Sequence, residues 1–344
     1  MDSLDTQIET ILNGQPLSQD IPIVCDFNDS INKSELETIV QKNVYYNVTA
    51  VIFNDNMDVL MIQEAHRKCR GQWSLPTGMV DPNEQIIDAI RREVREESGL
   101  EMEPTDLVMI ENSNAFMYLV CNFRFIFSGR VIGGQLKSVE DSESIQAKWW
   151  SESDMSSLNL RYDDILDVIS VVRNHNTSVA TIPYHISRFT VSGEHNKMLL
   201  RVVFTVRRNQ NKRQYVLISK LPFPHLPKRL FKTYIVGTLL GVLSVEHNGV
   251  PRNPLDLPHD GLCITVLVKS RVPYEGMGRI CSDYEWMQMS PSLEALLARC
   301  LDNPNTELIQ WRPKFWNKKL LKNEKNMSSH SNNMDKLSTQ LTAM

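Results

Sequence analysis

The 344-residue chain has no apolar run approaching the ~20 residues that a bilayer-spanning helix needs, so no membrane partner is expected. Its first residues, MDSLDTQIETILNGQ, offer neither a basic n-region nor an apolar h-region, and they contain no arginine. Neither a secretory signal nor a mitochondrial transit peptide is therefore expected there. Basic residues are not in excess: 37 Lys and Arg stand against 41 Asp and Glu, for a net charge of −4. A broad basic face for a nucleic-acid polymer is excluded on that ground. The six cysteines (Cys25, Cys69, Cys121, Cys263, Cys281, Cys300) fall in no metal-type or redox-pair spacing, which fits reduced thiols in a cytoplasmic protein. His66, His225, His247 and His259 are dispersed, with no partner at ligand spacing, and read as ordinary core or surface residues.

What is present divides into four stretches. Residues 1–41 are an acidic N-terminal segment, with eight acids against one lysine before residue 41, expected to lie outside the core apart from a short helix near SELETIVQK. Residues 42–176 carry strand patterns in VYYNVTAVIF, DVLMIQEA, LVMIEN, FMYLVCNFRFIFSG and IQAKWW, and a closing helix in DDILDVISVVRNH that should end near Asn176. Residues 185–312 echo that layout: RVVFTVRRNQNKRQYVLISK repeats a strand, polar turn and strand, and LLGVLSVEHNG, HDGLCITVLVKSRV and YEWMQM follow in the order of the later strands. The stretch between, PFPHLPKRLFKTYIVG, contains no acid at all. Residues 313–344 are polar and rich in Lys, Asn and Ser, the composition of a disordered tail. Mixed strands around one long helix predict an α+β sandwich.

That long helix lies in GMVDPNEQIIDAIRREVREESGL, residues 78–100. Asp81 suits an N-cap, Pro82 the first helical position and Glu84 the N3 position of a capping box. Ile86, Ile87, Ile90 and Val94 repeat on one face, and Gly99 suits a left-handed C-terminal residue. Glu93, Glu96 and Glu97 crowd into the last turn, where the helix dipole and mutual repulsion each disfavour an acid by a few tenths of a kcal/mol or more. At about 100° per residue, Glu93 and Glu97 stand about 40° apart beside the apolar face, with Glu96 about 60° further round. A solvated, salt-bridged surface helix would explain mixed charge, but these acids border the buried face. Carboxylate oxygens are the ligands hard cations prefer, so a divalent cation such as Mg²⁺ would offset both penalties.

Gly78, Glu84, Arg92, Glu93, Val94, Glu96, Glu97, Gly99 and Leu100 occupy every fixed position of the Nudix box. By average composition, a chance match at one position is on the order of one in a billion. The preceding WSLPTG resembles the lead-in common in this family, so the chain resembles a Nudix hydrolase. The resemblance implies an α/β/α Nudix sandwich in residues 42–176, with residues 185–312 a degenerate Nudix-like copy or an unrelated β-rich accessory domain, and a route to oligomers through that second half. It implies Mg²⁺ (or Mn²⁺), with Glu93 and Glu97 as principal metal ligands, Glu96 as ligand or water-activating base, and the carbonyl of Thr77 completing the site. Arg92 would orient a box glutamate, Gly78 and Gly99 would serve tight turns, and Glu84 would be a structural cap or a further member of the site.

The substrate class implied is a nucleoside diphosphate joined to another group. From Lys42 to Trp150, and more weakly beyond, the sequence is most similar to the animal Nudix motif 18 branch, MutT-homologue phosphatases acting on 8-oxo-dGDP. That branch places Leu60 against the nucleotide; an ordinary core role is the alternative. A Nudix hydrolase of ADP-ribose, coenzyme A or dinucleoside polyphosphates, or a non-catalytic Nudix-fold binding protein, would share most of these features, although the complete glutamate set disfavours the last.

Overall fold

Along residues 44–52, Val44, Tyr46, Val48, Ala50 and Ile52 enter one apolar core while Val51 enters another, the period-two alternation of a strand buried on both faces. This strand sits within a sheet between two layers, in a computed structural model that describes residues 3–15, 17, 38–115, 120–182, 185–220, 224–230, 237–250, 259–277, 280 and 282–313. The first half runs α1 (Leu4–Leu12), β1 (Val44–Ile52), β2 (Val59–Glu64), β3 (Trp73–Ser74), β4 (Thr77–Met79), α2 (Ile86–Ser98), β5 (Leu100–Ala115), β6 (Val120–Gly134), β7 (Ser144–Trp150), α3 (Glu152–Met155) and α4 (Ile165–Val179). The second half runs β8 (Thr190–Val191), β9 (Met198–Arg207), β10 (Gln214–Ser219), β11 (Lys228–Leu230), β12 (Thr238–Glu246), β13 (Leu262–Lys269), β14 (Tyr284–Gln288), α5 (Pro291–Asp302), α6 (Pro304–Glu307) and β15 (Gln310–Pro313).

Three sheets result: β15-β5-β6-β1-β4, the small β3-β2-β7, and β14-β10-β9-β13-β12-β8 with β11 on β9. One face of the first sheet packs α4 through Ile165, Val168, Ile169 and Val172. Its other face carries α2 and, in the same continuous core, Leu200, Val202, Ile264 and Val266 of the second half. The outer face of the second-half sheet is covered by α5 and, unexpectedly, by α1. The fold is thus an α+β sandwich with a β-rich second half.

The pairings of the second half repeat those of the first. β1 pairs β6 in parallel and β4 antiparallel; β9 pairs β13 in parallel and β11 antiparallel. β5–β6 and β2–β7 are antiparallel, as are β12–β13 and β10–β14. Where α2 lies between β4 and β5, only residues 231–237 separate β11 from β12, too few for a helix of that length. One strand crosses between the halves: β8, following α4, adds to β12 in parallel within the second half, whereas β15, following α5 and α6, adds to β5 of the first in parallel.

Three expectations need correction. The N-terminal segment does not lie outside the core: Ile8, Ile11 and Leu12 of α1 are buried beside Leu293, Leu297 and Cys300 of α5. Three apolar side chains one turn apart suffice to dock a short helix despite its acids. The closing helix runs on to Val179, past Asn176. The first four residues of the helix expected at SELETIVQK fall outside those described, and Val40 in its second part forms a β-bridge to Val44. The 314–344 tail also lies outside the described residues.

Candidate active site

Helix α2 begins at Ile86 with Gln85 as N-cap, four residues later than the sequence suggests. Asn83 takes a left-handed φ of 65°, which no continuous helix accommodates, so residues 81–84 form a separate turn. Within it, the Glu84 carboxylate accepts the Asp81 backbone N–H at 2.9 Å, the local contact expected of a cap at a different place in the helix. Ile86, Ala89, Ile90 and Val94 bury the inner face. The helix ends at Gly99, with φ 74°, where an added Cβ would meet the carbonyl oxygen of Gln135 at 2.3 Å.

Arg92 organises the acids. Its guanidinium grips Glu84 with two hydrogen bonds, Nε to Oε1 at 2.7 Å and Nη2 to Oε2 at 2.8 Å. It also donates to Glu93 at 2.7 Å, to Glu96 at 3.1 Å and to the carbonyl of Met79 at 2.9 Å. With five contacts to protein, this side chain is a positioning group, and the surrounding carboxylates raise its already high pKa.

Glu93 and Glu97 are buried, at 8% and 6% exposure, while the Glu96 side chain is 41% exposed. Thr77 donates its backbone N–H to Glu97 at 2.8 Å, and its hydroxyl is fixed to the Val48 carbonyl at 2.8 Å. β4 holds this geometry by its antiparallel register with β1, Thr49 opposite Thr77 and Val48 opposite Gly78. Gly78 is required for a reason other than a turn. It lies in a strand, and a Cβ there would fall 1.9 Å from the Glu93 carboxyl carbon.

Burial pushes the carboxyl of Glu97 well above the ordinary carboxylate range, only partly opposed by the Thr77 amide and reinforced by the charges of Glu93 and Glu64. Burial also raises Glu93, opposed by Arg92 and aided by Glu96 and Glu143. The helix C-terminus is compensated locally: Lys137 donates its ammonium to the carbonyl of Glu96, and Ser144 its hydroxyl to that of Glu97. Glu64, Lys137, Glu143 and Ser144 were not legible as site neighbours in the sequence, because β2 and the segment before β7 reach the helix only through the fold.

Three acids on one helix, two of them buried, share a single guanidinium, so the cluster is acidic on balance. An all-oxygen donor set of that charge fits a hard divalent cation, with Glu93, Glu96, Glu97 and Thr77 as the residues that would hold it. Leu60 is fully buried on β2, in the core with Ile62, Ile90 and Phe127, the environment expected of its alternative core role.

Residues 45–168 match the NUDIX domain family model. An 8-oxo-dGDP phosphatase NUDT18 from Danio rerio is 33% identical over 300 residues, 79% of this chain and 85% of that protein. The chain belongs to the Nudix hydrolase family. The corresponding human protein, 8-oxo-dGDP phosphatase NUDT18, is 32% identical over 252 residues, 67% of this chain and 73% of its own. A solved Nudix hydrolase from Nitrosomonas europaea aligns with 41% of this chain and 97% of its own, at 24% identity and a TM-score of 0.34. The Nudix box is therefore the segment spanning β4, the 81–84 turn and α2, and its glutamates are the cluster that Arg92 orders.

Proposed function

We propose that this Nudix hydrolase removes the terminal phosphate of oxidised nucleoside diphosphates such as 8-oxo-dGDP, releasing a monophosphate and orthophosphate, as a cytoplasmic nucleotide-pool enzyme dependent on Mg²⁺ or Mn²⁺. The observation that carries the reading is 33% identity sustained over 300 residues, far beyond the box, to a relative bearing that activity in its name. The thiols of Cys69, Cys263 and Cys300 are free, in keeping with a reducing compartment. No helix among the described residues is long and apolar enough to cross a membrane.

A bound divalent cation would neutralise charge on the phosphate oxygens and acidify the attacking water. The chain's own contribution is positional, as befits phosphoryl transfer. Arg92 fixes the carboxylates of Glu93 and Glu96, Thr77 fixes that of Glu97, and the packed face of α2 holds all three against β4. Glu96, the most exposed of the three, faces solvent as a ligand or proton acceptor. In the same proposal, residues 185–312 are a degenerate copy of the catalytic half: the strand pairings recur, but the connection that would carry the acidic helix is residues 231–237 alone.

The test is a comparison of kcat/KM for 8-oxo-dGDP, 8-oxo-dGTP, dGDP and ADP-ribose at equal Mg²⁺. The oxidised diphosphate should exceed the others. A pocket closed beyond the β-phosphate would bury an unpaired charge on any third phosphate, and unpaired polar groups on an unoxidised base would cost about 1–3 kcal/mol. Preference for the triphosphate or for ADP-ribose would overturn the substrate while leaving the hydrolase chemistry standing.

A further inference from the structure

Away from the Nudix helix, three side chains converge at the seam between the halves: Asp106 of β5, His175 of α4, and His185 in the connection leading to β8. Their ligand atoms all lie within 4.8 Å of one another. His185 Nε2 is 3.0 Å from both oxygens of Asp106, and His175 Nε2 is 3.6 Å from Oδ2. Asp106 and His175 are buried at 5% and 6% exposure.

We propose that Asp106, His175 and His185 form a structural transition-metal site, of the kind zinc occupies, that fastens the second half to the first.

The imidazole of His175 argues for a cation. Its Nδ1 faces the carbonyl of Asn305 at 3.5 Å, while its buried Nε2 has no hydrogen-bond partner and points at a carboxylate. A neutral ring has one N–H and cannot satisfy acceptors on both sides. Zinc on Nε2 with Nδ1–H directed at a backbone carbonyl resolves both, and is the usual environment of a metal-bound histidine. Asp106 is likewise braced from outside, since its Oδ1 accepts the backbone N–H of Arg188 at 2.9 Å. The spacings agree: ligands about 2.0–2.1 Å from zinc in a tetrahedron lie about 3.3–3.4 Å apart, between the two observed separations. Two imidazoles and a carboxylate suit zinc, nickel or copper better than magnesium or calcium. Arg188, whose backbone braces Asp106, turns its guanidinium away to the carbonyls of Leu243 and Leu12. A second cluster, His195, Glu246 and Cys263, lacks this character, because the Arg201 guanidinium already occupies the Glu246 carboxylate.

The site draws on both halves, through β5 and α4 on one side and Asn305 of α6 on the other. The test uses the full-length protein, stripped with chelator and titrated with Zn²⁺ against a chromophoric competitor in millimolar Mg²⁺. One equivalent should bind with a sub-micromolar Kd and raise Tm, and Co²⁺ in its place should give tetrahedral d–d bands. Asp106→Asn and His185→Gln should each weaken binding at least ~100-fold, while Glu97→Gln should leave it unchanged. Absence of tight zinc binding by the folded wild type overturns the proposal whatever the variants do. So does zinc that is lost in Glu97→Gln and kept in His185→Gln, since that ion would belong to the acidic helix.

Discussion

Glu97 is the side chain whose loss should separate chemistry from folding. Glu97→Gln preserves its size and its contact with the Thr77 amide but removes a charge, so kcat should fall at least ~100-fold with the far-UV CD spectrum unchanged. Near-normal turnover in a folded variant would remove Glu97 from the site. His247 tests a different consequence of burial. It packs edge-on against Tyr46 with ring centroids 5.3 Å apart, neither ring nitrogen has a hydrogen-bond partner, and burial holds its pKa down at about 3. Below about pH 6.5 the unfolded chain takes up a proton that the folded chain refuses, so stability falls with pH by up to about 1.4 kcal/mol per unit until the folded value is reached. Urea unfolding between pH 7 and 4 should show a slope shallower by up to one proton in His247→Leu; parallel slopes would mean that His247 titrates normally. The box acids could be read from the sequence because their placement broke the rules of a surface helix. His247, His175 and His185 could not, since a lone histidine acquires meaning only from neighbours the fold supplies.

At the scale of elements, the periodic segments were the legible ones. The strands β1, β2, β6 and β7 and the helices α2 and α4 fall within a few residues of where apolar repeats place them. The boundaries that moved did so for local reasons, as with the left-handed Asn83 that delays α2. α1 was missed because its acids masked three apolar side chains whose partners lie almost 300 residues away in α5. Gly78 gives β4 its testable role. In Gly78→Ala the new methyl would overlap the Glu93 carboxyl, whose contact distance to the ideal Cβ is 1.9 Å, while β4 can keep its pairing with β1. We expect a folded protein with a displaced Glu93 and kcat reduced ~10-fold or more, measured beside a thermal melt. Full activity would show that the strand and helix separate freely enough to accept a side chain there.

Across the whole molecule, one apolar core joins residues of both halves, and the first half receives its edge strand, β15, from the end of the second. Ending the chain after Ile309 removes β15, its Trp311 contact with Phe123 and the approach of Arg312 to Glu111 at 3.7 Å. Stability should drop by roughly 1–3 kcal/mol relative to a chain ending at Pro313, read from Tm, and activity should fall with it although the Nudix box is untouched. Equal melting of the two truncations would show that β15 only decorates the sheet. The direction of synthesis gives that strand a further meaning. β5 emerges from the ribosome with one edge open, and its partner is not made until about 200 residues later, at Gln310–Pro313. An open strand edge is a template for association with other chains. The growing polypeptide therefore carries the first half with an unpaired edge through most of its translation, until the last strand arrives.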